Sequence, residues 1–118
     1  MVEMTNLLIN PVSKSARRPS AIDLREKFSL LADTFKTLGD YSRVRIVWTL
    51  VQSEKCPTEI AEAVGLSPSA VSHHLKVLRE ANLVRMRREH RQIFYALDDE
   101  HINELIEAGI EHVEEILQ

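Results

Sequence analysis

The sequence predicts a mainly α fold with one small β-hairpin, closed by a helix that requires a partner. Three observations carry this. Apolar residues recur at helical spacing in five segments, and two short β-branched and aromatic runs flank a polar stretch between Leu83 and Leu97. The last helix is apolar around more of its circumference than one chain can cover. The 118 residues, 44% hydrophobic and 28% charged, suit a single domain over residues 21–118 with one modest core.

Residues 1–20 mix Pro11 and Pro19 with Ser13, Ser15 and basic residues without a sustained period, which predicts a flexible arm. From Ile22 onward, Leu24, Phe28, Leu31 and Phe35 fall at steps of four, three and four on one stripe of a first helix, closed by Leu38 and Gly39. A turn at Asp40, Tyr41 and Ser42 leads to a central core helix carrying Val44, Ile46, Val47, Leu50 and Val51, with Trp48 at its edge. Pro57 and Thr58 open a third helix, Thr58 to Val64, with Thr58 as its cap and Gly65 as its stop. Ser67 is placed to cap a fourth helix with Val71, Leu75 and Leu78 inward. Leu83 to Met86 and Ile93 to Leu97 read as the strands of a hairpin around the polar Arg87 to Gln92. Asp98 is expected to cap the last helix, which runs to Leu117 with Ile102, Leu105, Ile106, Ala108, Ile110, Val113, Ile116 and Leu117 spread around it.

Composition excludes several classes. Cys56 is the only cysteine, so neither an intramolecular disulfide nor a four-thiolate zinc site can form within one chain. Gly39, Gly65 and Gly109 are the only glycines, which leaves no phosphate loop and no dinucleotide fingerprint. Without a legible nucleophile–base pair or carboxylate dyad, no enzyme is expected. No apolar run approaches the roughly 18 residues of a membrane span, and the N-terminal stretch lacks the order of a signal peptide. A cytoplasmic protein with no membrane partner is expected.

The net charge of −3 hides a strong asymmetry. Residues 66–95 carry +4, whereas residues 96–118 carry −8 with no Lys or Arg. A polyanion would therefore meet the middle of the chain. That middle has the order of a helix-turn-helix followed by a wing. Ala61 is small where two helices cross, Gly65 makes the tight turn, and Val71 and Leu75 lock the second helix onto the first. The outward face of that second helix carries Pro68, Ser69, Ser72 and His73, short enough to approach base edges, with Lys76 and Arg79 in reach of phosphates. In the hairpin, Arg87, Arg88 and Arg91, together with Arg85, would lie along the backbone of the adjacent groove. The concentration of positive charge favours double-stranded DNA as partner over a plain solvated surface, or over a winged helix that binds protein. Salt-dependent binding to duplex DNA separates these readings. His73 is either a DNA contact or a solvated side chain, and His74 is expected to pack against the preceding helix.

Two stretches resemble the ArsR/SmtB family of metal-responsive winged helix-turn-helix repressors: Thr37-Leu38-Gly39-Asp40-Tyr41-Ser42-Arg43-Val44-Arg45-Ile46, and Leu66-Ser67-Pro68-Ser69-Ala70-Val71-Ser72-His73-His74-Leu75-Lys76-Val77-Leu78. Similarity continues through Phe94-Tyr95-Ala96-Leu97 into Asp98-Asp99. The tip of the wing departs from the pattern: Arg88-Glu89-His90-Arg91 stands where the family often has glycine, so His90 or Glu89 must take the turn geometry. The resemblance implies a homodimer, with first and last helices at its interface, that represses an operator and releases it when an inducer binds.

His101 and His112 lie eleven residues apart, within about 20° of one helical face but about 16 Å apart along the axis. One chain cannot bring both to one ion. In two such helices packed antiparallel across a two-fold axis, Asp99 and His101 would face the partner subunit's His112 and Glu115. Two imidazoles and two carboxylates suit tetrahedral Zn²⁺. On spacing alone, these histidines read more simply as polar residues of an acidic solvated helix. The resemblance decides otherwise, because Asp-x-His followed by His-x-x-Glu looks like the family's zinc-sensing site. It implies Zn²⁺ as inducer, and two ions per dimer are expected. Asp98, Glu100 and Glu111 remain as substitute ligands, and cobalt, nickel or no metal as the alternatives. Cys56 and Glu59 match two positions of the family's thiolate site, but Met1 to Ser20 holds no Cys or His to complete it. Cys56 is therefore expected to be a small half-buried residue.

Overall fold

The computed structural model describes residues 21–118, so the arm expected at residues 1–20 lies outside the described residues. Thr34–Gln118 form one compact unit, and the residues before Thr34 belong to another. In chain order the elements are α1 (Ala21–Leu38), α2 (Tyr41–Gln52), α3 (Pro57–Val64), α4 (Pro68–Glu80), β1 (Val84–Glu89), β2 (Gln92–Leu97) and α5 (Glu100–Leu117). This is the mainly helical plan with one hairpin that the periodicities predict. Among the described residues no helix is long and apolar enough to cross a membrane.

In the first unit, α1 starts with Asp23 in its first turn, and Leu24 is half-buried while Phe28, Leu30 and Leu31 are exposed. The second unit begins within the same helix, whose last turn carries Lys36, a cation favourable to the helix dipole.

Helix starts are set by side chains that satisfy the first free N–H groups, and three of them fall elsewhere than the sequence predicts. Tyr41 and Ser42 belong to α2 rather than to a turn, because the Asp40 carboxylate accepts from Arg43 N at 3.0 Å and caps the helix there. Arg43 Nε in turn donates to Thr37 O at 2.9 Å, binding the end of α1 to the start of α2. Cys56, not Thr58, is the N-cap of α3: Pro57 takes the first helical position and Glu59 Oε1 accepts from Cys56 N at 2.9 Å. Asp99, not Asp98, caps α5, its Oδ1 accepting from Ile102 N at 3.2 Å. Asp98 instead closes the hairpin base, where its N–H donates to Leu83 O at 3.0 Å.

Gly65 ends α3 in the left-handed region, with φ of 70°. Ser67 caps α4 through a bond from Ala70 N at 3.1 Å, as expected. The end of α4 is a Schellman motif: Asn82 takes φ of 61°, its N–H donates to Arg79 O at 3.0 Å, and Leu83 N donates to Leu78 O at 2.9 Å. The backbone then turns into the hairpin, whose antiparallel register pairs Val84 with Leu97 and Glu89 with Gln92. The strands are longer than the apolar runs indicate. Arg87 to Glu89 and Gln92 stand in the ladder, and only His90 and Arg91 turn, with His90 at φ of 59° replacing the missing glycine.

The core lies where α2, α3 and α4 meet. Ile46 and Val47 of α2, Ile60 of α3, and Val71, Leu75 and Leu78 of α4 are fully or almost fully buried, closed off by Leu83 and Val84. Each such side chain contributes about 1.5–3 kcal/mol of burial free energy. Ile106 is the one buried residue of α5.

Candidate nucleic-acid interface and candidate metal site

Because Val71, Leu75 and Leu78 face the core, the opposite side of α4 is left to solvent. Pro68, Ser69, Ser72, His73, Lys76 and Arg79 are all exposed there. Ser72, Lys76, Arg79 and Glu80 line a groove of about 450 Å³ whose far wall is Tyr95 of β2. Helix and hairpin thus border one basic channel, and Tyr95 is a lining residue that the sequence reading missed. His74 turns away from this face and is half-buried. It lies near Asp40, whose pKa is lowered chiefly by the hydrogen bond from Arg43 N and further by the Arg43 guanidinium. His74 Nδ1 is buried without a hydrogen-bond partner among the described residues.

The arginines of the hairpin divide into two kinds. Arg88 and Arg91 are exposed, and among the described residues no ion pair holds either. Arg87, expected to face phosphate, is engaged within the protein: Glu54 and Glu89 take its guanidinium edge, and Phe94 takes its face. These hydrogen bonds raise the Arg87 pKa and hold Glu54 below the ordinary carboxylate range. Arg85 Nη1 is likewise spent on Asp98 O at 2.7 Å. The cross-strand pairing of Arg87 with Phe94 is foreseeable from the hairpin register. Glu54 lies 33 residues earlier, and no local pattern indicates it.

The four expected metal ligands are all exposed and sit at the two ends of α5. Asp99 and His101 meet at its start, with Asp99 Oδ2 3.6 Å from His101 Nδ1. Asp99 precedes the helix, so residues two apart converge despite helical spacing. The Ile102 N–H, with His101 adding to it, keeps the Asp99 carboxyl below its ordinary value. His112 and Glu115 share a face near the other end, and among the described residues no three His, Cys, Asp or Glu of one chain gather to hold a metal. Of the substitute ligands, Glu100 accepts from Asn103 Nδ2 at 3.1 Å. Cys56 is half-buried, and the Glu59 carboxylate beside it is taken by the cap, which lowers its pKa. A further feature, not singled out in the sequence, is an apolar groove of about 500 Å³ between α2 and α5, lined among others by Phe35, Trp48, Ile110 and Val113.

Residues 40–86 match the family described as bacterial regulatory protein, arsR family. The chain is 41% identical over 81 residues to the HTH-type transcriptional regulator KmtR of Mycobacterium tuberculosis, covering 69% of this chain and 62% of that protein. It is 30% identical to the cadmium resistance transcriptional regulatory protein CadC homolog of Staphylococcus aureus, over 92% of this chain and 84% of the other. Among solved structures it resembles the homodimeric winged helix-turn-helix DNA-binding domain of a possible ArsR-family transcriptional regulator from Mycobacterium bovis. That likeness has a TM-score of 0.75 and 27% identity, covering 79% of this chain and 86% of that one. Fold and basic channel together are those of a winged helix-turn-helix DNA-binding regulator, not of an enzyme. The chain belongs to the ArsR family of bacterial regulatory proteins.

Proposed function

We propose that the chain is a cytoplasmic, homodimeric repressor that binds an operator in duplex DNA and releases it when Zn²⁺ binds between the last helices of the two protomers. The observation that carries this reading is the layout of α5. Its outward apolar residues Ile110, Val113, Ile116 and Leu117 lie exposed beside an open apolar groove, and paired oxygen and nitrogen donors stand at its two ends. A second copy packed antiparallel would cover the first and complete the second.

Asp99 and His101 would hold the ion with the partner subunit's His112 and Glu115. The donor set fits zinc: two imidazoles and two carboxylates, with no thiolate. The name of the Staphylococcus aureus relative concerns cadmium resistance, but a thiophilic ion prefers sulfur, and Cys56 is the only cysteine of this chain. Bound there, zinc would supply positive charge where carboxylates of two acidic helices converge. The chain supplies the rest. α5 and the reading head belong to one compact unit, so the angle between protomers sets the separation of the two α4 helices. That separation must match the half-site spacing of the operator.

Affinity linkage tests this. A Zn²⁺ titration against a competing chelator, run on the protein alone and on its complex with a duplex selected from a randomised pool, should show DNA weakening zinc by the same factor that zinc weakens DNA. Equal zinc affinity in both states overturns the reading, and stronger coupling to Co²⁺ or Ni²⁺ reassigns the inducer. Asp99→Asn keeps an oxygen for the Ile102 cap but removes a ligand charge, so it should fold normally and lose zinc affinity. His112→Gln should lose regulation.

A further inference from the structure

The loop between α2 and α3 holds the hairpin at two adjacent points. Lys55 pairs with Tyr95 as a short antiparallel bridge, with Lys55 N donating to Tyr95 O at 3.0 Å and Tyr95 N to Lys55 O at 2.8 Å. One residue earlier, the Glu54 carboxylate accepts from Arg87 Nε at 3.1 and 3.0 Å to its two oxygens, and from Nη2 as well. The other arm of the guanidinium, Nη1, donates to Glu89 at 2.6 Å. Its centre lies 4.8 Å from the ring of Phe94, directly across the ladder.

Arg87 is therefore gripped at both edges and on one face, in the forked geometry that a lysine cannot reproduce. Exposed ion pairs add little to global stability, and this one is open to water, with side-chain exposures of 48% for Arg87 and 38% for Glu54. Its effect is orientation. Beyond Val84 and below Leu97 the strands carry no fully buried side chain, and Tyr95 is the one that packs, half-buried, against the core. Packing and the Lys55 bridge therefore hold the hairpin near Tyr95, and the clamp on Arg87 is the hold nearer its tip. The loop that grips it runs straight into Cys56, the cap of α3. Hairpin and helix-turn-helix are thus joined at this loop as well as through the end of α4.

We propose that Glu54 is a wing-positioning residue: by clamping Arg87 it fixes the angle of the hairpin to the helix-turn-helix and keeps that arginine out of the phosphate-facing set. The inference rests on the DNA-binding reading and assigns a role within it to a residue outside both reading elements. Loss of the clamp should have opposite effects on two kinds of DNA. A freed Arg87 adds a mobile cation for any duplex, whereas a hairpin without a fixed angle loses discrimination.

The test compares the wild-type chain with Glu54→Gln, Arg87→Gln and the double variant, on a duplex selected by the wild-type protein and on an unselected duplex of equal length, across salt concentrations. On the unselected duplex, Glu54→Gln should steepen the salt slope by up to about 0.9, one phosphate contact. Its preference for the selected duplex should fall about tenfold, roughly the worth of one base-pair contact. Arg87→Gln should lose the same preference without changing the slope, and adding Glu54→Gln to it should change nothing further. Amide exchange should quicken at residues 84–97 in Glu54→Gln while α4 and the unfolding midpoint are kept. An unaltered preference in Glu54→Gln overturns the proposal, as does an equal effect in the Arg87→Gln background, since Glu54 would then act only as a bulk charge. If the wild-type protein binds neither duplex, the DNA-binding reading falls instead.

Discussion

Around α4, the inward residues Val71, Leu75 and Leu78 are sealed by α2, α3 and the hairpin base, with none more than 1% exposed. Along α5, Ile106 alone is buried, and Ile116 and Leu117 keep 65% and 79% of their surface. The helix-turn-helix is complete within one chain and leaves a mainly polar and basic face outward. The acidic helix is incomplete: it exposes apolar surface, and the donors we propose for the metal stand at two ends about 16 Å or more apart. The contrast separates two kinds of information. What a chain buries by itself specifies its fold, and what it leaves exposed and apolar specifies an assembly.

Truncating the sealed region should give the largest effect. Leu75→Ala should destabilise the chain by about 2–5 kcal/mol through the cavity it leaves, read as a lower urea midpoint, with DNA binding lost in parallel. A change of less than about 1 kcal/mol would show that α4 is not locked as its burial implies.

Charging the open region should do the reverse. Val113→Glu, on the exposed face of α5, should leave the unfolding midpoint of a dilute, monomeric sample unchanged. It should weaken self-association at least about thirtyfold, as for a residue central to an interface. Sedimentation velocity over a concentration series reads this, and an unchanged dimer would remove α5 from the interface.

Between these limits, Ser67→Ala removes the N-cap of α4 and should cost about 1 kcal/mol. The loss should show first as faster amide exchange in the opening turn of α4, with self-association unaffected.

The smallest effect is acid sensitivity at the helix starts. Asp40, Glu59 and Asp99 have folded pKa values below their ordinary ones, chiefly because backbone N–H groups bond the charged form. Their contribution is present above the ordinary value, 3.8 for Asp40, and is lost as pH falls through the lowered folded value. Asp40→Asn should therefore flatten the dependence of stability on pH below about 4, and an undiminished acid dependence would assign it to other groups.

The sequence by itself determined the order of elements, the inward residues of α4, the glycine stop at Gly65, the cap at Ser67 and the exposed basic face. All of these follow from local rules: helical period, strand alternation, and the few residue types that cap a helix or tolerate positive φ. It placed the caps of α3 and α5 at the wrong residues because several side chains near each start are able to cap, and only the path of the entering chain selects between them. Tertiary structure alone decided that Arg87 is held by Glu54 across 33 residues, that Tyr95 walls the basic channel and that an apolar groove opens between α2 and α5. Such contacts depend on where distant segments are brought by packing, and periodicity carries no information about that distance. The same reason applies to the four ligand positions proposed on α5. Their spacing is local and was legible, but whether Asp99 and His112 belong to one site would be fixed by a second copy of the helix, which the sequence of one chain indicates only through the apolar surface it leaves uncovered.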